Sequence, residues 1–268
     1  MILSEEYIQM SDSTYERILE NLQFLKSKES LDVLDKTFDN VNRNNLSFID
    51  GFLYFTEAQV EKKKANLVSH SVHTAGFPKP KTLTEFDFDF QPSINKQQIY
   101  DLNSLRFIEK QENIVFYGNS GVGKTHLAIA IGMTAAQNRK STYFVKCADL
   151  MDTLHKAYLE GRLSERLKKF CGYRLLIIDE LGYLPISKED SKLFFQLIDK
   201  RYERNSTIIT TNINFSQWDE VFGDAVTAGA IVDRLLHHAT VVMIKGKSYR
   251  LQNIYAAADD ADMQKNCT

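Results

Sequence analysis

From Asn113 onward the chain alternates short apolar runs with helical stretches, the runs falling at 113–117, Thr142–Lys146, Arg174–Ile178, Thr207–Thr211 and Thr240–Ile244. Runs of this length and composition predict five strands, and the stretches between them predict helical crossovers. Strands joined in this way form a parallel sheet with helices on both faces, and such strands read as continuous rather than alternating hydrophobics. Leu175-Leu176-Ile177-Ile178 does so. Upstream, Tyr15, Ile18, Leu19, Leu22 and Leu25 recur at helical spacing. Ser47 is placed to cap a second helix running through Phe52, Leu53 and Val60 into Glu61-Lys62-Lys63-Lys64. Pro78, Pro80 and Pro92 fall between these helices and the first strand and predict a boundary there. The expected organisation is an all-helical N-terminal domain over residues 1–75, a linker over 76–95 and an α/β domain over 96–268. His70 and His73 have metal-like spacing, but with no further ligand nearby they read as a solvated linker pair.

A chain of 268 residues with 43% hydrophobic content can bury one sizeable core and a smaller accessory region. The net charge of −2 excludes a globally basic nucleic-acid coat while leaving room for local basic patches. Cys147, Cys171 and Cys267 are odd in number and lack C-x-x-C spacing, so the sequence supports neither a disulfide framework nor a zinc site and fits a reducing cytoplasm. The N-terminus is acidic, and no apolar run reaches the ~18 residues of a membrane span, so no membrane association is expected.

The chemistry concentrates after the first strand. Gly118-Asn119-Ser120-Gly121-Val122-Gly123-Lys124-Thr125 matches the phosphate-loop pattern G-x-x-x-x-G-K-[ST] in full, between a strand and a helix as that loop requires. Glycines let backbone N–H groups turn inward around phosphates, Lys124 meets the β- and γ-phosphates, and the Thr125 hydroxyl is placed to ligate Mg²⁺. The third strand ends in Asp179-Glu180, where a nucleotide-hydrolysing α/β protein needs carboxylates. Asp179 is expected to hold Mg²⁺ and Glu180 to act as general base on the attacking water. Asp179-Glu180-Leu181-Gly182 also fits a GTPase D-x-x-G switch, but no N-K-x-D or T-K-x-D segment follows to read a guanine. Adjacent carboxylates likewise favour activation of water over transfer to a small-molecule hydroxyl. Asn212, where the fourth strand stops, either opens a turn or orients the water or γ-phosphate. Arg234, on an expected helix, reads by itself as a surface ion pair.

Together with Ser248-Tyr249-Arg250 after the last strand, these motifs resemble AAA+ ATPases. More narrowly they resemble the IstB family of insertion-sequence transposition helpers, relatives of the DnaC helicase loaders. The similarity runs from about Thr82 to Asn253 and includes LTEFDFDF, IDELGYLP, and VDRLLHHA followed by KGKSYRLQ. It implies a P-loop AAA+ core without a C-terminal lid, with the Asn212 strand between the phosphate-loop strand and the Asp179 strand. It makes Asn212 a sensor, Arg250 a candidate sensor at the nucleotide, and Arg234 an arginine finger acting in trans within a homo-oligomer. ATP and Mg²⁺ are the implied cofactors, and a bacterial cytoplasm the implied setting.

The resemblance further implies assembly on double-stranded DNA with ATP and recruitment of a partner transposase that stimulates hydrolysis. Lys156, Arg162, Arg166, Lys168 and Lys169, between the second and third strands, form the expected DNA-facing cluster. Lys62, Lys63 and Lys64, with Lys79 and Lys81, form a second. Two other readings stand beside this one: a DnaC-like helicase loader that binds single-stranded DNA, and a nucleotide-gated scaffold that scarcely hydrolyses ATP. Glu180 argues against the scaffold.

Overall fold

The computed structural model describes the chain from residue 3 to residue 251, so Cys267 and the short tail expected to leave the core without a lid lie outside it. The chain divides into two compact units, Met1–Ser69 and His70–Thr268.

The first unit is helical. Helix α1 (Leu3–Phe24) is joined to α2 (Lys28–Asn44) by a hydrogen bond from the Tyr15 hydroxyl to Asp35, with the Tyr15 ring 5.9 Å from that of Phe38. Helix α3 (Phe48–Thr74) begins as the sequence predicts: Ser47 Oγ accepts from the Asp50 N–H at 3.2 Å and donates to its carboxylate at 2.6 Å. It runs past the expected end, because nothing before Gly76 breaks it. His70 and His73 therefore sit on an exposed helical turn and not in a linker.

The segment 76–95, expected as a linker, is instead part of the second unit's core. Leu83 and Ile94 are buried, Phe77, Phe86 and Phe88 pack against the same cluster, and the Ala75 carbonyl accepts from the Phe144 N–H at 2.8 Å. The prolines end the helix correctly, but the aromatic residues interleaved with them carry enough apolar area to hold an irregular strap onto the sheet.

The second unit continues with α4 (Lys96–Asn103) and α5 (Arg106–Glu109). Strands β1 (Asn113–Gly118), β2 (Thr142–Lys146), β3 (Leu175–Leu181), β4 (Ser206–Thr211) and β5 (Ala239–Ile244) then form one parallel sheet in the order β2-β3-β4-β1-β5. The strand carrying Thr211 and leading into Asn212 lies between the phosphate-loop strand and the Asp179 strand, as expected. Helix α6 (Lys124–Gln137) packs on one face. Helices α7 (Cys147–Leu159), α8 (Leu163–Cys171), α9 (Lys188–Arg201), α10 (Trp218–Phe222) and α11 (Ala225–Leu236) supply the other. Alternate strand residues serve the two faces: Ile114, Phe116 and Ile177 enter the first cluster, Val115, Leu176 and Ile178 the second. Each such fully buried aliphatic side chain contributes about 1.5–3 kcal/mol, which forces continuous hydrophobicity on the central strands. The pairing Tyr117↔Thr211 and Lys146↔Asp179 brings the carboxyl ends of β1, β2, β3 and β4 to one edge of the sheet.

Candidate functional site

That edge holds a cleft of about 450 Å³, lined along the phosphate loop from Ser120 to Thr125 and by Glu180, Asn212, Tyr249 and Arg250. The loop's backbone explains its glycines. Gly123 has φ +99°, and a Cβ on it would stand 2.5 Å from the Phe86 ring. The Gly121 carbonyl accepts from the Tyr249 N–H at 2.9 Å, so the Ser248-Tyr249-Arg250 segment closes against the loop. Lys124 Nζ donates to the carbonyls of Gly118 (2.8 Å) and Asn119 (2.7 Å). Burial pushes the Lys124 ammonium below the ordinary lysine value, the Asp179 charge opposes this, and the Arg250 charge adds to it. A bound polyphosphate would compensate two cations held this close.

Asp179 is buried at 2% exposure, and its Oδ1 accepts from Thr125 Oγ1 at 2.8 Å and Thr210 Oγ1 at 2.5 Å. Burial raises the Asp179 carboxyl above the usual aspartate range, while both hydroxyls lower it in part. The Thr125 hydroxyl and the Asp179 carboxylate are hard oxygen donors in contact, the donor set that suits Mg²⁺. The chain then makes a β-bulge between Ile178 and Leu181, with Glu180 at φ +61° and its N–H donating to Thr210 Oγ1 at 3.0 Å. A bulge re-aims side chains. Here Asp179 turns in toward Thr125, and Glu180 turns out to line the cleft, its carboxylate 3.0 Å from Lys146 Nζ, which lies outside the cleft lining.

The raised Asp179 carboxyl carries a stability consequence. A folded-state pKa above the unfolded value means that this group stabilises the fold most at low pH. That contribution is lost as the pH rises from the unfolded value through the raised folded one. Asp179→Asn keeps an oxygen for both hydroxyls and removes the buried charge. The variant is therefore expected to have a higher Tm than the parent at neutral pH without nucleotide. Thermal unfolding followed by circular dichroism from pH 4 to 7 checks this; a lower Tm at neutral pH contradicts it.

Of the predicted residues, the structure brings Gly118–Thr125, Asp179, Glu180, Asn212 and Arg250 to this one edge. It does not bring Arg234 there. That side chain lies over the Phe195 ring, 4.7 Å from its centroid, with Nε 2.8 Å from Asp199 Oδ1. Lys156, Arg162, Arg166 and Lys169 share a separate groove of α7 and α8, together with Glu160 and Glu165. Lys168 is exposed outside that lining. Lys62, Lys63 and Lys64 fall on consecutive positions of α3, which point about 100° apart, so they make no single patch. Lys64 is paired with Glu61 at 2.8 Å. Lys79 and Lys81 belong to the second unit, and Lys81 lines the nucleotide-loop cleft. Sequence reasoning missed Thr210, which joins Asp179 to the Glu180 backbone, and also Lys146 and Phe86. The hydroxyl of Thr210, one of two adjacent threonines at a strand end, was the available signal.

A phosphate loop on the strand next to the one leading into Asn212, with that strand beside the one bearing Asp179-Glu180, is the connectivity of the AAA+ class of P-loop proteins. A solved structure of DnaI shares the fold, with a TM-score of 0.53 at 22% identity over 62% of this chain and 91% of that one. The family model described as IstB-like ATP binding protein matches residues 20–257, and the chain belongs to this family. A protein of insertion sequence IS232 from Bacillus thuringiensis subsp. berliner, named for ATP binding, is 54% identical over 92% of this chain and 99% of its own length. A similarly named protein of insertion sequence IS5376 from Geobacillus stearothermophilus is 41% identical over 78% of this chain and 83% of its own. Among the described residues no helix is long and apolar enough to cross a membrane.

Proposed function

We propose that this chain is a transposition ATPase that assembles with ATP on double-stranded DNA, hydrolyses the nucleotide and recruits a partner transposase. The observation that carries the ATPase reading is the junction of Thr125, Asp179 and Glu180: two oxygen donors in contact and a carboxylate turned out beside them into the phosphate-loop cleft. Backbone amides of 118–125 and Lys124 bind the triphosphate, and Thr125 with Asp179 hold Mg²⁺, which supplies charge neutralisation at the β- and γ-phosphates when bound. Asn212 orients the attacking water, Glu180 takes its proton, and Arg250 contacts the phosphates from the turn that closes on Gly121.

The DNA reading is supported by the α7–α8 groove, where Lys156, Arg166 and Lys169 from the two helices gather with Arg162 from the turn between them, outside the nucleotide cleft. Such a surface reads phosphates rather than bases, so binding should be weakly sequence-dependent and steeply salt-dependent. Replacing Lys156, Arg162 and Arg166 together with alanine is expected to remove the stimulation of hydrolysis by DNA while ATP affinity is retained. The steepness of log affinity against log salt should fall by about 0.9 for each DNA phosphate that the variant no longer neutralises. Unchanged stimulation in that variant moves the DNA surface elsewhere on the chain.

The whole proposal is tested by ATP turnover at fixed low salt without DNA, with single strands, and with duplexes of increasing length, using Lys124→Ala as the blank. Stimulation that rises with duplex length supports cooperative assembly on double-stranded DNA. Preference for single strands replaces this function with that of a helicase loader.

A further inference from the structure

His237 and His238 follow Arg234 on the same chain segment, and the nucleotide chemistry gives them no task. Among the described residues they form, with Glu203, the one group of three candidate ligands for a metal, the ligand atoms all lying within 4.8 Å of one another. We propose that Glu203, His237 and His238 bind a zinc-class divalent ion, at a site separate from the nucleotide's Mg²⁺.

The side chains are already ordered toward one another. The two imidazoles stack with centroids 4.0 Å apart at 26°, and the Tyr202 ring stacks on both. The Tyr202 hydroxyl hydrogen-bonds His237 Nδ1, which fixes that ring and leaves its Nε2 for a ligand. His238 Nε2 lies 3.2 Å from Glu203 Oε1. Ligand atoms around a tetrahedral ion at bond lengths of about 2.0–2.2 Å stand roughly 3.3 Å apart. The observed spread closes on one ion once the two imidazole planes turn out of their stack, a movement open to exposed side chains. Two imidazoles and one carboxylate suit Zn²⁺ and leave a fourth position to water, whereas Mg²⁺ takes oxygen ligands in an octahedral shell.

Position separates this site from the cleft. Glu203 precedes the start of β4 and the histidines precede the start of β5, while the cleft lies at the carboxyl ends of the strands, about 20 Å away along a six-residue strand. An ion here ties the α9–β4 turn to the α11–β5 turn. It also places a cation at the C-terminal end of α11, where the helix dipole favours one.

The test uses the full chain, stripped with chelator and free of nucleotide, titrated with ZnCl₂ and with CoCl₂. The expected result is saturable binding of one ion per chain, visible absorption bands for Co²⁺, a rise in Tm, and imidazole ¹⁵N shifts at His237 and His238 that excess MgCl₂ does not reverse. His238→Ala and Glu203→Gln each lose the binding, and Tyr202→Phe weakens it by roughly 10-fold or more. The imidazole shifts are read on the unaltered protein, so they hold even if a variant folds poorly. Absence of saturable binding overturns the proposal, as does binding unchanged in both variants or shifts at His70 and His73 instead.

Discussion

If Arg234 acts in trans as the arginine finger of the proposed assembly, Arg234→Ala is expected to lower ATP turnover by roughly 10³- to 10⁵-fold, the range for loss of such a residue. Its ATP affinity should change little, because the side chain is absent from the lining of its own chain's cleft. Arg234 instead presents a half-buried guanidinium at the end of α11, held by Asp199 and the Phe195 ring. That ion pair is partly solvated and costs at most about 1 kcal/mol to break, so it orients the group without locking it away. Arg234→Lys should fare little better than alanine, since a lysine lacks the planar fork that grips a γ-phosphate from two directions. The decisive experiment mixes two dead variants. In a mixture of Arg234→Ala with Glu180→Gln, some interfaces pair an intact Glu180 on one protomer with an intact Arg234 on its neighbour, and turnover should reappear. Mixtures as inactive as their components would place Arg234 in cis or outside catalysis altogether.

Glu180→Gln alone is expected to cut turnover by about 10²- to 10⁴-fold while ATP still binds. The amide fills the same space but accepts no proton from water. The change also removes the pairing with Lys146, but both partners are about half exposed, so stability should move by less than about 1 kcal/mol and folding cannot account for the loss. Because ATP persists, the variant should accumulate as an ATP-bound oligomer, measurable by size exclusion with light scattering at saturating ATP and Mg²⁺. Wild-type turnover in this variant would transfer the base to another residue. A variant that is inactive and monomeric with ATP bound would separate nucleotide binding from assembly.

The parts legible in the sequence were those whose chemistry is local. Residues 118–125 announce a phosphate loop because the glycines, Lys124 and Thr125 act within one turn of backbone. The central strands were legible because burial on both faces demands unbroken runs such as Leu175–Ile178. Helix α2 was missed: its exposed polar positions dilute the apolar repeat, while Val33 and Leu34 are buried in the first unit. Segment 76–95 was misread as a linker for the converse reason. Its prolines describe the backbone faithfully, yet whether Phe77, Phe86 and Phe88 find a surface depends on a sheet formed far along the chain.

The sequence by itself thus determined the nucleotide chemistry, the parallel α/β class and the presence of a helical first unit, since each is written in contiguous residues with their own periodicity or spacing. Only the tertiary structure decided how the pieces meet. It seated Thr210 between Asp179 and Glu180, set Lys146 against the proposed base, kept Arg234 away from its own cleft, and gathered Glu203 with His237 and His238. Those relations depend on strand order and on which ends of the strands coincide, and long-range pairing of this kind is fixed by packing across the sheet and leaves no local pattern.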